Sequence, residues 1–588
     1  MRSQLLLILS AFFLLVTACE PPETGEAAPG TAASQASSET AEATAHAAES
    51  PDRSGAHAAG SHDRSGAHPA GSPGGFDDLG AVDFQVNCSS AVEDDFNRAV
   101  ALLHHMMYQQ ARGEFQAIAS RDPGCAMAHW GISMSLFQPL WPGRPDLDTR
   151  VQGWEAVERA RELGPEGERE RLLVDAAAAF WEDPESDEWW PRIERWAGAM
   201  EGAHRQRPDD LEVGALHGLA VLSAGQVADD QLAEHARAAE ILAEVHEAEP
   251  RHPGAIHYII HADDASGRAE EHLHVVDAYS DLAPHVPHAL HMPSHIYVRL
   301  GDWPQVIEWN RRSAQAALDH PVGDRISIHY IHGMDYKLYG HLQRGEDERG
   351  RRILERVQIT GPYQEDFGSA FHLAVMPARF ALERRDWDEA AALRIGEPDY
   401  VEWERYEWPQ ALSWFARGMG AVMTGDLAGA QEAEEELMAL RDEAGAAGEA
   451  AYRTYIEVDR LILSGRIAWA QGDEARAVAL TREAAELEGT IQKHPITPGA
   501  LLPPYEALGD LLQDLDRPQE ALDAYEAGLE VWPERYRSLL GAARAAGDAG
   551  LDDQARAHFA SLLDVVGDRS DRRGVAEARR AVGESPVG

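Results

Sequence analysis

The chain has 588 residues, 44% of them hydrophobic, and sets 52 Lys+Arg against 100 Asp+Glu for a net charge of −48. Its only lysines are Lys337 and Lys493. So acidic a chain argues against nucleic acid and against an anionic membrane surface as partners, since both repel it.

In chain order the first element is an apolar run from Leu5 to Val16, preceded by Arg2. It is too short to span a bilayer and has the length of a signal-peptide core. It ends in Val16-Thr17-Ala18-Cys19, which resembles the lipobox of bacterial lipoproteins. The resemblance implies a signal peptide over 1–19, cleavage before Cys19 and lipid on that thiol. Glu20 stands where an Asp would signal inner-membrane retention in enteric bacteria. The expected address is therefore the outer membrane, facing the periplasm or the cell surface, with the lipid as the only membrane anchor.

Residues 20–78 are rich in Ala, Gly, Ser, Pro and His, and repeat Asp52-Arg53-Ser54-Gly55-Ala56-His57 at Asp63-Arg64-Ser65-Gly66-Ala67-His68. Such a segment cannot bury enough apolar surface to offset its ordering entropy and reads as a flexible tether. The roughly 500 residues after it exceed one hydrophobic core, a limit that a repeat array escapes.

From Val92 onward apolar residues keep a helical period, with no alternating strand pattern. Polar turns such as Gly301-Asp302, Gly425-Asp426 and Gly472-Asp473 end one amphipathic helix and open the next. Comparable loops recur at intervals from 34 residues (Gly267 to Gly301) to 47 residues (Gly425 to Gly472), which predicts helix-turn-helix repeats. The stretch from Pro142 to Asp210, with Trp189-Trp190-Pro191 and Trp196, breaks this rhythm and reads as an insertion or a longer hairpin.

Leu508-Gly509, Ala521, Tyr525 and Pro533, and again Ala111, Phe115 and Pro123, resemble the tetratricopeptide (TPR) consensus. Together with Phe96 to His105, Asp122 to Gly131 and His288 to Tyr297, they are similar to a family of bacterial TPR lipoproteins known by its repeats rather than by a reaction. The resemblance covers about residues 85–540. It implies an all-α, right-handed superhelix of about nine to eleven helical hairpins over 79–570, and then a charged C-terminal tail, 571–588.

Histidines keep register across these repeats. Aligned on the loops at Gly267, Gly301, Gly345 and Arg385, His257 and His261 fall on His291 and His295, and then on Asp335 and Tyr339. His288 falls on His332 and then on His372. All lie on the first helices of their pairs, which line the concave face of a TPR superhelix, and i,i+4 spacing puts each pair on one helix face. His257, His261, His291 and His295 have the residue type and number that zinc or copper requires, with Asp335 as a fifth ligand or as a carboxylate orienting an imidazole. The competing reading is that these imidazoles hydrogen-bond across helices. Methionines accompany them (Met106, Met107, Met292, Met334, Met376), a pairing that suits copper(I), although Met at helical spacing is also ordinary core. Pro293 and Pro377 either kink first helices or begin them; in the second case His288 and His291 would lie in a loop.

Cys88 and Cys125 each precede an apolar helix, and an even pair in an oxidising compartment favours a disulfide. There is no phosphate-binding glycine loop and no nucleophile elbow. The leading expectation is a lipid-anchored envelope scaffold whose concave groove, lined by His288, His332, His372, Tyr297 and Tyr339, binds a peptide, protein or envelope component. The alternative is a His-lined zinc or copper protein, or a metal-dependent enzyme.

Overall fold

A computed structural model describes residues 78–583 apart from 142, 280, 281, 568, 569 and 571. The expected signal segment, the expected lipidation at Cys19 and the expected tether up to residue 77 lie outside the described residues. The described chain folds into successive antiparallel pairs of helices: α1 (Glu93–His104) with α2 (Tyr108–Arg121), α3 (Ala126–Leu136) with α4 (Leu147–Leu163), α5 (Glu168–Trp181) with α6 (Trp189–Gln206), and α7 (Leu211–Gly225) with α8 (Gln231–Ala248). In the middle come α9 (Pro253–Asp263) with α10 (Leu273–Ala278), α11 (Pro287–His291) and α12 (Pro293–Leu300) with α13 (Trp303–Leu318), and α14 (Ile328–Gln343) with α15 (Asp347–Thr360). The last run is α16 (Phe367–Arg384) with α17 (Trp387–Ala391), α18 (Glu407–Thr424) with α19 (Leu427–Ala446), α20 (Ala450–Ala470) with α21 (Glu474–Glu488), α22 (Pro504–Asp514) with α23 (Pro518–Val531), α24 (Tyr536–Asp548) with α25 (Asp552–Val565), and the closing helix α26 (Arg573–Ala581). This is a TPR-like α-solenoid. Among the described residues ten pairs are full-length, and two have stunted second helices, α10 and α17.

The Gly-Asp turns explain the repetition. Gly301, Gly345 and Arg385 take φ of 70°, 66° and 54°, the left-handed conformation that stops a helix. The next amide then bonds back five residues: Asp302 to the Tyr297 carbonyl at 2.9 Å, Glu346 to His341 at 2.9 Å, Asp386 to Ala381 at 3.0 Å. Asp302 and Asp386 go on to cap the succeeding helix, accepting from the amides of Gln305 and Glu389. One turn thus ends a helix, reverses the chain and starts its partner.

The segment that breaks rhythm in sequence is regular in space. Trp181, Trp189 and Trp196 join Phe137 and Phe180 in one aromatic cluster between α3, α5 and α6. Large rings fill there what small residues fill in a consensus repeat, which hides the period. Cys88 and Cys125 are joined in a disulfide that ties the segment before α1 to the start of α3. Pro293 lies in a helix kinked after Met292, whose own backbone stays helical (φ −52°, ψ −43°), and Pro377 lies inside α16. His288 and His291 are therefore helical.

The first helices of the middle repeats are buried on nearly every side. Two contacts close the face that an open superhelix would leave free. Helix α1 packs across α9. The fifteen non-helical residues between Glu488 and Pro504 (489–503) form a strap across α9, α14 and α16. Lys493 Nζ donates to Asp264 at 2.8 Å, Tyr336 Oη to the Pro495 carbonyl at 2.8 Å, and Arg379 to the Gly499 carbonyl at 3.1 Å. Among the described residues no helix is long and apolar enough to cross a membrane.

Candidate metal centre

Beneath the strap lie the histidines. His257 and His261 come from α9, His288, His291 and His295 from the kinked α11–α12, His332 from α14 and His372 from α16; none is more than 8% exposed. They sort into two triads, His257/His261/His288 and His291/His295/His332. Within each triad one ring nitrogen per residue lies within 4.8 Å of the others. The triads adjoin, with ring centroids 5.6 Å apart for His261 and His295 and 6.1 Å for His288 and His291.

The four histidines expected as ligands are thus brought together, but divided two and two, and each pair is completed by a residue expected to line a groove, His288 or His332. Asp335 belongs to neither triad. Its carboxylate accepts from Arg379 at 3.1 Å and from His372 Nδ1 at 3.2 Å, and His372 itself stands outside both triads. The expectation of an open groove at His288, His332, His372, Tyr297 and Tyr339 is corrected, because all five are at most 9% exposed. Tyr339 instead receives a hydrogen bond from the buried Arg535 at 2.5 Å.

The hydrogen-bond partners fix the tautomers. The Asn310 amide nitrogen donates to the Val306 carbonyl, which leaves its Oδ1 to accept from His291 Nδ1 at 2.6 Å. Asp264 accepts from His295 Nδ1 at 2.8 Å. Burial opposes ionisation of Asp264, but Lys493 and Arg299 outweigh it and hold the carboxyl well below its ordinary range. The His104 carbonyl, an acceptor only, takes His257 Nδ1 at 2.6 Å. His372 spends its Nδ1 hydrogen on Asp335, so its bare Nε2 accepts from His332 Nδ1 at 2.8 Å. In the rings of His257, His291, His295 and His332 the hydrogen sits on Nδ1, and Nε2 is a bare lone pair.

This leaves the interior with two conflicts. The Nε2 atoms of His291 and His295 face each other at 2.9 Å, lone pair to lone pair. Nε2 of His257, Nε2 of His261 and both ring nitrogens of His288 are buried without a hydrogen-bond partner. Native interiors rarely leave such groups unmatched. Burial, reinforced by neighbouring imidazoles, holds His257, His261, His288, His291 and His332 well below 6.5 and lowers His295 against the pull of Asp264, which disfavours the one proton that on His295 Nε2 would also satisfy His291. Bare imidazole nitrogens of this kind are the donors that copper and zinc accept. A cavity of about 30 Å³, lined by His261, His288, His295, His332, His494, Met106 and Trp141, sits against both triads.

A third buried group, His104/Glu212/His252, differs in kind. His252 Nδ1 accepts from the Ala255 amide at 3.1 Å, while His104 Nε2 meets Glu212 at 2.8 Å and its Nδ1 meets Tyr258 Oη at 3.1 Å. His252 Nε2 lies 3.3 Å from Glu212 without a hydrogen bond, so the group is mostly but not wholly satisfied, and unlike the triads it contains a carboxylate. Of the expected methionines, Met106 reaches the cavity; Met107, Met292, Met334 and Met376 pack in the core.

The strap escaped sequence reasoning, although it carried a signal. Lys493, one of only two lysines in so acidic a chain, stands beside His494 in a stretch with Pro495, Pro498 and Pro503. A loop of that length inside a compact array is itself uncommon.

Fold and site together define a TPR-like α-solenoid with a histidine-lined interior. No protein-family model matches the chain, and no curated protein matches it. Among solved structures it is similar to the APC/C hetero-tetramer Cut9–Hcn1 at 12% identity, over 83% of this chain and 90% of that one, with a TM-score of 0.30. So slight a likeness carries nothing toward function.

Proposed function

We propose that the protein binds a transition metal, copper or zinc, in its histidine core, and that it does so in the cell envelope, lipid-anchored through Cys19. The observation that carries the reading is the 2.9 Å approach of two Nε2 atoms whose rings both hold their hydrogen on Nδ1. Imidazole suits copper and zinc, and the rings of His257, His291, His295 and His332 are each backed by a carbonyl, amide, carboxylate or second imidazole, as metal-bound histidines ordinarily are. The envelope address rests on the sequence before residue 78.

Metal content by mass spectrometry tests the reading on the full chain, expressed in metal-replete medium and washed with a weak chelator. The expected result is copper or zinc near whole equivalents, with at least one equivalent lost in His295→Ala while helical circular dichroism persists. A folded protein free of both metals would sink the reading.

A second reading, the interaction scaffold, is favoured by one observation. An apolar cleft of about 460 Å³, lined in part by Phe371, Val375, Trp408, Leu412, Tyr455 and Trp532, lies beside the strap. Its character fits the side chains of a peptide, protein or envelope component. A metal-free outcome above would make this cleft the site to pursue.

A further inference from the structure

We propose that the two triads form a dinuclear copper centre, one ion to each, with the small cavity between them seating a bridging ligand of one or two heavy atoms. The inference rests on the metal reading above and deepens it.

The count of donors comes first. Zinc and copper sites of nitrogen ligands take three or four protein groups at ~2.0–2.1 Å. Six imidazoles in two sets, each mutually within 4.8 Å, are too many for one such ion and match two. His288 makes the second site specific. Both its ring nitrogens are buried and unpartnered and its ring lies 4.9 Å from that of His257, so although the ring also packs on Trp141 and His329, its nitrogens have no hydrogen-bonding role.

Charge then selects the metal. Neither triad contains a carboxylate. The nearest ones are already neutralised, Asp264 by Arg299 and Lys493 and Asp335 by Arg379. Two divalent ions would bring four positive charges into an interior with no countercharge, whereas two copper(I) ions bring two, and burying uncompensated charge is costly. Neutral imidazoles and a nearby thioether, Met106, are also the donors that copper(I) accepts. Finally, the cavity touches His261 and His288 of one triad and His295 and His332 of the other. Its volume of about 30 Å³ matches a hydroxide or a diatomic molecule.

The test is an anaerobic copper(I) titration of the metal-stripped full chain. A chromogenic chelator is held at a level that outcompetes the histidines of residues 20–78. Two tight equivalents are expected, falling to one in His288→Gln, to one in His332→Gln and to none in the double variant. A single equivalent that His288→Gln leaves intact and His332→Gln removes would overturn the pair while leaving the single-metal reading standing. No tight copper would overturn both. Should the variants fail to fold, X-ray absorption of the two-copper(I) wild type decides. A copper–copper scattering component beside nitrogen shells is expected; nitrogen shells with no copper–copper component would overturn the shared centre.

Discussion

Lowering the pH from 7 to 5.5 without metal should weaken this fold, and the histidine core sets how much. His105 and His494 are held at about 3 and His329 at about 4, in each case chiefly by burial. His257, His261, His288, His291 and His332 are held well below 6.5. These eight stay neutral in the folded chain at pH 5.5, while in the unfolded chain, near 6.5, they are mostly protonated. The unfolded state therefore binds more protons, so stability falls as pH drops below 6.5 and keeps falling toward the folded values. Each group costs slightly more than 1 kcal/mol over this interval, about 10 kcal/mol together. Burial also raises Glu407 and Glu534, but three acids chiefly oppose the histidines: burial raises Glu488 to about 7, Asp366 to about 6 and Asp459 well above its usual range. Their protonation in the folded state returns about 4 kcal/mol. The net loss is about 6 kcal/mol. Urea denaturation of chelator-treated protein, monitored by tryptophan fluorescence, should show a clearly lower midpoint at pH 5.5. A midpoint that holds or rises would refute the claim that these imidazoles are buried and neutral.

Two substitutions probe the supports of the centre. Asn310→Leu removes the acceptor that fixes the His291 tautomer, and should weaken metal at the His291/His295/His332 triad by about 10–100-fold; competition titration reads this, and unchanged affinity would mean the amide has no orienting role. Arg535→Met leaves Glu383 and Glu506 buried without the guanidinium that bridges them at 2.7 and 3.0 Å. It should cost about 3–5 kcal/mol in thermal or urea unfolding, and a variant as stable as the parent would show that Arg385, which also pairs with Glu506 at 2.8 Å, suffices for that carboxylate.

The solenoid was legible because its signals are local. Gly301-Asp302 and Arg385-Asp386 each form a left-handed stop and then a helix cap, and a loop register derived from such pairs aligns His257 with His291 and His288 with His332. What register could not supply is contact between repeats. His288 joins His257 and His261 across helices rather than along its column. Asp335, aligned with His257 and His291, turns instead to Arg379, because a buried carboxylate requires a charged partner. The buried state of the whole column depends on the strap, whose Lys493 meets Asp264 from 229 residues away.

That separation bears on how an ion enters and leaves. The triads are assembled by residues 257–332, but the strap over them arrives only with residues 489–503, long after the ligands have been synthesised. If the proposed site is filled, the ion lies beneath a strap held by Lys493, Pro495 and Gly499, and its exchange would be slowed to the extent that these contacts must open locally.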